Sequence, residues 1–251
     1  MKTEKRWQLI EEFLHKSGTL SVQELAEKLS VSETTIRRDL IKMENNNMVN
    51  RLWGGACLAT EKADVAVQYQ DEYIFRFGRN IEAKKRIARC AAERVHDGSC
   101  IFLDAGSTVS YIPQYITAAD VTVVTNSLNI FQILAEKRIQ TYLPHGLVNF
   151  ACAAIMGPDT TDWIAEKNFD LVFLGNGGLD PTLGFTTRDE TDAKIKRCAL
   201  ARCQEGGAYI LSDRTKNGVR KFHTFAGLND ACLITDEQPE FPVEHVLIAA
   251  E

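Results

Sequence analysis

The sequence has no run of about 18 apolar residues, so no segment reads as a membrane span. Its first seven residues, M-K-T-E-K-R-W, pass straight into a charged helical pattern. They lack the apolar core of a signal peptide, and the expected location is the cytoplasm. The seven cysteines (57, 90, 100, 152, 198, 203 and 232) are odd in number, scattered, and form no C-x-x-C pair. That argues against a disulfide framework and against a zinc site, and reduced thiols are the expectation. Cys198 and Cys203, five apart in a helical stretch, do not share a face. No metal and no cofactor is implied by any motif. Positive charge is also scarce. A net charge of −5 excludes a protein that coats nucleic acid non-specifically, because that needs a large basic surface.

What the chain does have is an ordinary soluble composition, 45% hydrophobic and 25% charged over 251 residues, enough for a small domain and a medium one. The charge is divided unevenly. Residues 1–58 hold nine Lys/Arg against eight Asp/Glu, a net of +1, which leaves −6 for the rest. The acidity therefore belongs to the later part.

Three short helices are expected at the start. Trp7, Ile10 and Leu14 recur at helical spacing up to Ser17-Gly18. Val22, Leu25, Ala26 and Leu29 follow i, i+3, i+4, i+7 behind Ser21 and Glu24, a capping-box pair. The third helix starts at Ser32 as N-cap, turns Ile36, Leu40 and Met43 inward, and stops at Asn45-Asn46-Asn47. Met48 to Trp53 then alternates as a short ribbon closing at Gly54-Gly55. Two helices, a turn, a third helix and a ribbon make a winged helix-turn-helix.

On a helical wheel, Thr34 and Arg38 lie opposite Ile36, with Thr35 and Arg37 on the flanks. Hydroxyls and guanidiniums on an outward face suit a DNA major groove: Arg reaches guanine bidentately, and Ser32, Thr34 and Thr35 can bond bases or phosphates. Arg38 is expected to contact a base and Arg37 a phosphate. Lys42 is expected to meet the backbone, and Arg51 on the ribbon to meet phosphate or the minor groove. The competing role for the two arginines is pairing with Glu33 or Asp39 on a solvated face.

Residues 3–57 resemble the N-terminal domain of the DeoR family of bacterial transcriptional regulators. The resemblance is carried by V-Q-E-L-A-E-K-L-S-V-S-E-T-T-I-R-R-D-L and R-L-W-G-G-A. Trp53 departs from the histidine that members often have there.

After a linker (59–79), residues 80–251 alternate helix and strand. Apolar runs end in small polar loops: Asp104-Ala-Gly-Ser-Thr108, Thr125-Asn-Ser127, Gly175-Asn-Gly-Gly178 and Asp213-Arg-Thr-Lys216. This is the pattern of a parallel sheet covered by helices. In such sheets ligands sit at the carboxyl ends of strands. A Gly-Ser-Thr loop entering a helix would offer N–H groups to an anion, and Lys216 would add charge. Each loop alone reads as a tight turn with a cap. Four in one sheet point to a small anionic ligand, with Gly177 among the groups around it.

The resemblance extends here through K-K-R-I-A, L-D-A-G-S-T, V-V-T-N-S-L, F-L-G-N-G-G-L-D, G-F-T-T and S-D-R-T-K-N-G. It implies an α/β domain resembling ribose-phosphate isomerases and coenzyme A transferases that senses phosphorylated sugars. It implies an effector site lined by Asp104, Gly106, Ser107, Thr108, Thr125, Asn126, Ser127 and Lys216. His145-Gly146 and Arg214-Thr215 depart from the usual members. The expected function is a repressor of a carbohydrate-utilisation operon, with operator DNA, a phosphorylated sugar or sugar alcohol, and a second copy of itself as partners. It is not expected to be an enzyme. The rival reading is a sugar-phosphate isomerase with a fused DNA-binding arm, using Asp104, Asp180, Glu190, Asp213 or Lys216, but no spacing among those residues demands catalysis. The remaining residues have ordinary roles: His15, His96 and His223 at the surface, Trp7 and Trp163 in packing.

Overall fold

The computed structural model describes residues 3–17, 19–46, 48–52, 55–58 and 79–250. The chain divides into two compact units, Met1–Arg76 and Phe77–Glu251. The expected linker lies outside the described residues except for Arg79, and so do Trp53 and Gly54 of the expected ribbon and its turn.

In the first unit, α1 (Thr3–Ser17), α2 (Val22–Leu29) and α3 (Glu33–Asn45) pack around Ile10, Leu14, Leu25, Ile36, Leu40 and Met43, all essentially inaccessible. The spacing predicted each of these helices because their apolar stripes are complete. The ribbon is larger than its sequence pattern. Strands β1 (Thr19–Ser21), β2 (Val49–Leu52) and β3 (Gly55–Leu58) form an antiparallel sheet in the order β1-β3-β2. The stretch 55–58 shows no clear period, yet it is the central strand, and Ala56 and Leu58 are buried in the helical core.

A buried ion pair joins the first helix to the third. Arg6 of α1 donates Nε to Asp39 Oδ2 and Nη2 to Asp39 Oδ1, the latter at 3.0 Å, and both side chains are nearly enclosed. Asp39 therefore does not pair with Arg37 or Arg38. Its hydrogen bond raises the Arg6 guanidinium above its ordinary pKa.

The second unit is a three-layer α/β domain. Strands β4 (Cys100–Leu103), β5 (Thr122–Thr125), β6 (Gln140–Tyr142), β9 (Leu171–Gly175), β12 (Ala208–Leu211), β14 (Cys232–Thr235) and β15 (Val246–Ile248) form one parallel sheet. Its order is β15-β14-β12-β9-β4-β5-β6. Helices α4 (Ile81–Ala92), α5 (Ile112–Tyr115) and α6 (Leu128–Glu136) pack on one core, with Ile87, Ile112 and Ile130. Helices α7 (Pro158–Ala165) and α8 (Glu190–Ala201) pack on the other, with Ile164 and Ile195.

Several features differ from the sequence pattern. The first helix of this unit ends at Ala92. The helix expected behind Asp104–Thr108 is a three-residue 3-10 turn, Val109–Tyr111, followed by the single turn of α5 with Pro113 near its start. So short a helix offers little dipole to an anion. An antiparallel hairpin, β7 (Leu147–Asn149) and β8 (Ala154–Met156), and a small antiparallel sheet, β10 (Gly178–Asp180), β11 (Gly184–Thr187) and β13 (His223–Ala226), leave almost no pattern in the sequence. At three or four residues each, their alternation is too short to read.

At the end of β10, Asp180 accepts from the Thr182 and Leu183 N–H groups and from Arg220 Nε, each at 2.9 Å. The Arg220 guanidinium and those N–H groups hold the Asp180 carboxyl down to about 2.

Two predictions follow from these pairs. Asp39→Ala removes the carboxylate that accepts two hydrogen bonds from the buried Arg6 guanidinium, and denaturant unfolding of the full chain should show the first unit destabilised by about 3–5 kcal/mol. Asp180 stays ionised in the folded chain to about 2, whereas the unfolded chain binds its proton near an ordinary carboxylate value of ~3.9. Stability from this group is thus complete above that value and lost as pH falls towards 2. Melting curves of Asp180→Asn should fall less steeply with pH in that window than those of the unsubstituted chain.

Candidate functional site

The first site is the outward face of α3. Ser32 caps the helix, with its Oγ accepting from the Thr35 N–H at 3.3 Å, and the Ser32 and Thr35 hydroxyls lie 2.9 Å apart. A cap of this kind contributes about 1 kcal/mol. Thr34, Arg37, Arg38 and Lys42 are exposed and Thr35 is half-buried. Arg37 Nη2 lies 3.1 Å from Glu33 Oε2, a solvated i,i+4 pair of small energetic weight. The two arginines therefore differ: Arg37 is tethered to its own helix, and Arg38 stands on the exposed face with Thr34. Arg51 takes its place on β2 opposite Ala56 of β3.

The second site is set by topology. Strand order runs outward from β4 through β5 to β6 on one side, and from β9 through β12, β14 and β15 on the other. The reversal falls between β4 and β9, where open parallel sheets form a ligand crevice. Asp104 follows β4 and Gly175 ends β9. A Cβ added to Gly106 would sit 3.1 Å from Gly175 Cα, and one added to Gly175 would sit 3.2 Å from Gly106 Cα. A side chain at either position would press on the other backbone, which would have to give by a few tenths of an ångström. Across the same point Asp104 Oδ2 accepts from the Gly175 N–H at 2.9 Å.

That oxygen also accepts from Lys196 Nζ of α8 at 2.8 Å, and Lys196 bonds Asp192 Oδ1 at 2.6 Å. Thr187 Oγ1 donates to Asp192 Oδ2 at 2.6 Å. Asp104 and Lys196 are almost completely buried. Burial raises the Asp104 pKa above the ordinary carboxylate value, and Lys196 and the Gly175 N–H offset this only in part. For Lys196, burial opposes the charge, but the Asp104 and Asp192 carboxylates outweigh it and the ammonium is held. The result is one ammonium held between the carboxyl groups of Asp104 and Asp192.

Unpartnered polar atoms collect at the ends of four neighbouring strands. Asp104 Oδ1 after β4, Asn126 Oδ1 after β5, Asn176 Oδ1 and Nδ2 after β9, and Ser212 Oγ after β12 are all shielded without a hydrogen-bond partner in the chain. Each such atom costs about 1–3 kcal/mol. They gather around the reversal of strand order.

The predicted residues fall into different roles. Thr125 Oγ1 donates to Leu103 O at 2.7 Å and accepts from the Ser127 N–H at 3.1 Å, while Ser127 Oγ caps α6 by accepting from the Ile130 N–H at 3.3 Å. Both hydroxyls are inaccessible and serve the loop. Thr108 is buried, and Ser107 and Gly106 are half-buried. The Gly177 N–H donates to Thr186 O at 2.8 Å, which ties the β9 loop to β11. Lys216 is half-buried on a 3-10 turn, Arg214–Lys216, capped by Asp213. The departures settle locally: Arg214 pairs with Glu237 at 3.1 Å, Thr215 Oγ1 bonds Asp213, and His145 O accepts from Thr160 Oγ1 at 3.0 Å. Asn80 Nδ2 also reaches Asp213 Oδ1, at 3.0 Å. Sequence reasoning missed Lys196, Asp192 and Thr187. The available signal was the Asp192/Lys196 i,i+4 spacing behind the Thr186-Thr187 strand end. Among the described residues no group of three or more His, Cys, Asp or Glu could hold a metal ion.

The DeoR-like helix-turn-helix domain matches residues 6–62, and the DeoR C terminal sensor domain matches residues 79–237. The chain belongs to the DeoR family. This DeoR-family chain is 33% identical over 246 residues to the HTH-type transcriptional regulator FruR of Bacillus subtilis, covering 98% of this chain and 95% of that one. It is 32% identical over 241 residues to the HTH-type transcriptional repressor GlcR of the same organism, covering 95% and 90%. It is also 32% identical over 245 residues to the lactose phosphotransferase system repressor of Streptococcus mutans, covering 96% and 94%. A ribose 5-phosphate isomerase of Methanocaldococcus jannaschii superposes with a TM-score of 0.40 at 17% identity, over 55% of this chain and 54% of that one. A likeness of that size carries no inference about activity.

Replacing Lys196 with Met removes the one cation between two carboxylates. We expect a loss of about 3–5 kcal/mol in sensor-domain stability by denaturant unfolding, with part regained when Asp104→Asn is added, because the amide carries no charge to strand.

Proposed function

We propose that this DeoR-family chain is a transcriptional repressor of a carbohydrate-utilisation operon, acting in the cytoplasm, and that a phosphorylated sugar or sugar alcohol sets its operator affinity. Three of its relatives bear names that support the regulatory part, two of them as repressors. The observation that carries the effector class is the row of unpartnered buried atoms on Asp104, Asn126, Asn176 and Ser212. Neutral donors and acceptors beside one fixed acidic oxygen suit the hydroxyls of a polyol. The anionic end belongs away from the Asp104 and Asp192 side chains, towards Lys216 and the Gly106-Ser107 backbone.

On the DNA side, Thr34 and Arg38 read bases, while Ser32, Thr35, Arg37, Lys42 and Arg51 position the phosphate backbone. With a net of only +1 in residues 1–58, specific contacts and a second half-site supply the affinity that bulk charge does not. An effector shifts operator binding only by favouring one arrangement of the protein over another.

The test has two arms, using a duplex selected from random DNA by the unsubstituted protein. Arg38→Ala should weaken that duplex about 10- to 100-fold in fluorescence anisotropy, the worth of one bidentate base contact. It should leave intact the melting-temperature rise produced by hexose phosphates, which stabilise only the folded sensor domain. Unchanged DNA affinity would remove Arg38 from the interface. A thermal shift as large with unphosphorylated sugars would remove the phosphate from the effector.

A further inference from the structure

Residues 139–158 contain no Asp, Glu, Lys or Arg, although a quarter of the chain is charged. This stretch runs from the edge strand β6 through the β7–β8 hairpin, and it carries apolar side chains outward. Leu147 is 81% and Phe150 80% exposed, and Tyr142, Val148 and Phe131 of α6 are partly exposed as well. All three residues of β7 are exposed, and among the described residues β7 pairs only with β8, so its other edge is open. An open edge bearing apolar side chains is a template for another strand.

We propose that the β7–β8 hairpin is the docking surface for a second copy of this chain, with β7 pairing antiparallel to β7 of that copy across a twofold axis. Charge selects this occupant. DNA or an anionic membrane surface would require basic residues, and an acidic or basic protein partner would require charges opposite to its own. A surface without charge meets its own image with no like-charge repulsion, as a twofold interface demands. Antiparallel pairing of one strand with itself is also the arrangement a twofold axis produces. A standard interface covers ~800 Å² per partner. Each aromatic side chain can bury ~150–250 Å², so Phe150, Leu147 and their neighbours supply a large share of it.

The hairpin is also bonded to the candidate effector loop. The Ile155 N–H donates to Asn126 O at 2.8 Å, Asn126 Nδ2 donates to Ile155 O at 3.3 Å, and the Leu128 N–H donates to Ala153 O at 2.9 Å. A ligand that moves Asn126 therefore moves the docking surface. Only this consequence rests on the regulatory reading. The test below uses neither DNA nor effector, so its failure leaves that reading standing.

Sedimentation velocity of the full chain over a micromolar concentration series tests the proposal. The unsubstituted chain should sediment as a species heavier than 28.1 kDa. Leu147→Asp with Phe150→Asp places like charges opposite each other and should weaken association at least about tenfold or yield the monomer, with Phe150→Ser intermediate. Both positions are about four-fifths exposed, so folding is retained, and near-UV circular dichroism checks this. An unsubstituted chain that stays monomeric would show that the hairpin serves some other partner, and a variant that associates as tightly would place the interface elsewhere. Either result overturns the proposal.

Discussion

The carboxylate of Asp104 joins the two halves of the parallel sheet where chain order reverses. One oxygen is committed to the Gly175 N–H and the Lys196 ammonium. That commitment fixes the rotamer, and the second oxygen is left without a partner beside the ends of four strands. The close passage of Gly106 and Gly175 makes the first hydrogen bond possible, and burial makes the lysine necessary. An isolated buried carboxylate would take up a proton, whereas one paired with an ammonium remains a defined acceptor.

The first unit solves a different problem with the same device. It is small, and a single apolar core of its size gives a narrow margin of stability. The Arg6–Asp39 pair ties α1 to the side of α3 that faces the core, while Thr34, Arg37 and Arg38 occupy the side that faces outward. Asp39 follows the two arginines directly in the chain, yet it belongs to the opposite face and takes no part in neutralising them. The basic face keeps its charge because the neighbouring acid is used inside.

The β7–β8 hairpin lies between the Asn126 loop and an exposed apolar surface. It is stitched to Asn126 by backbone and side-chain hydrogen bonds on one side, and it presents an uncharged apolar surface on the other.

The elements with a full hydrophobic period were legible in the sequence. Ile36, Leu40 and Met43 define α3, and the apolar runs ending at Leu103, Thr125, Gly175 and Leu211 define the sheet, because period and composition are local properties. The loops at the strand ends were legible for the same reason. The roles inside them were not. Thr125 and Ser127 look like ligand groups in the chain and serve the backbone in the fold, while Lys196, about ninety residues from Asp104, shows nothing in the sequence of the pairing it makes. Strands of three residues such as β7, β8 and β10 carry too few positions to show a period, and the exposure of Leu147 and Phe150 exists only once a surface exists. By itself the sequence determined the family and the elements that carry a full hydrophobic period, since these follow from short-range pattern. The tertiary structure alone decided which polar atoms are satisfied and which remain unpaired, because that depends on contacts between residues far apart in the chain.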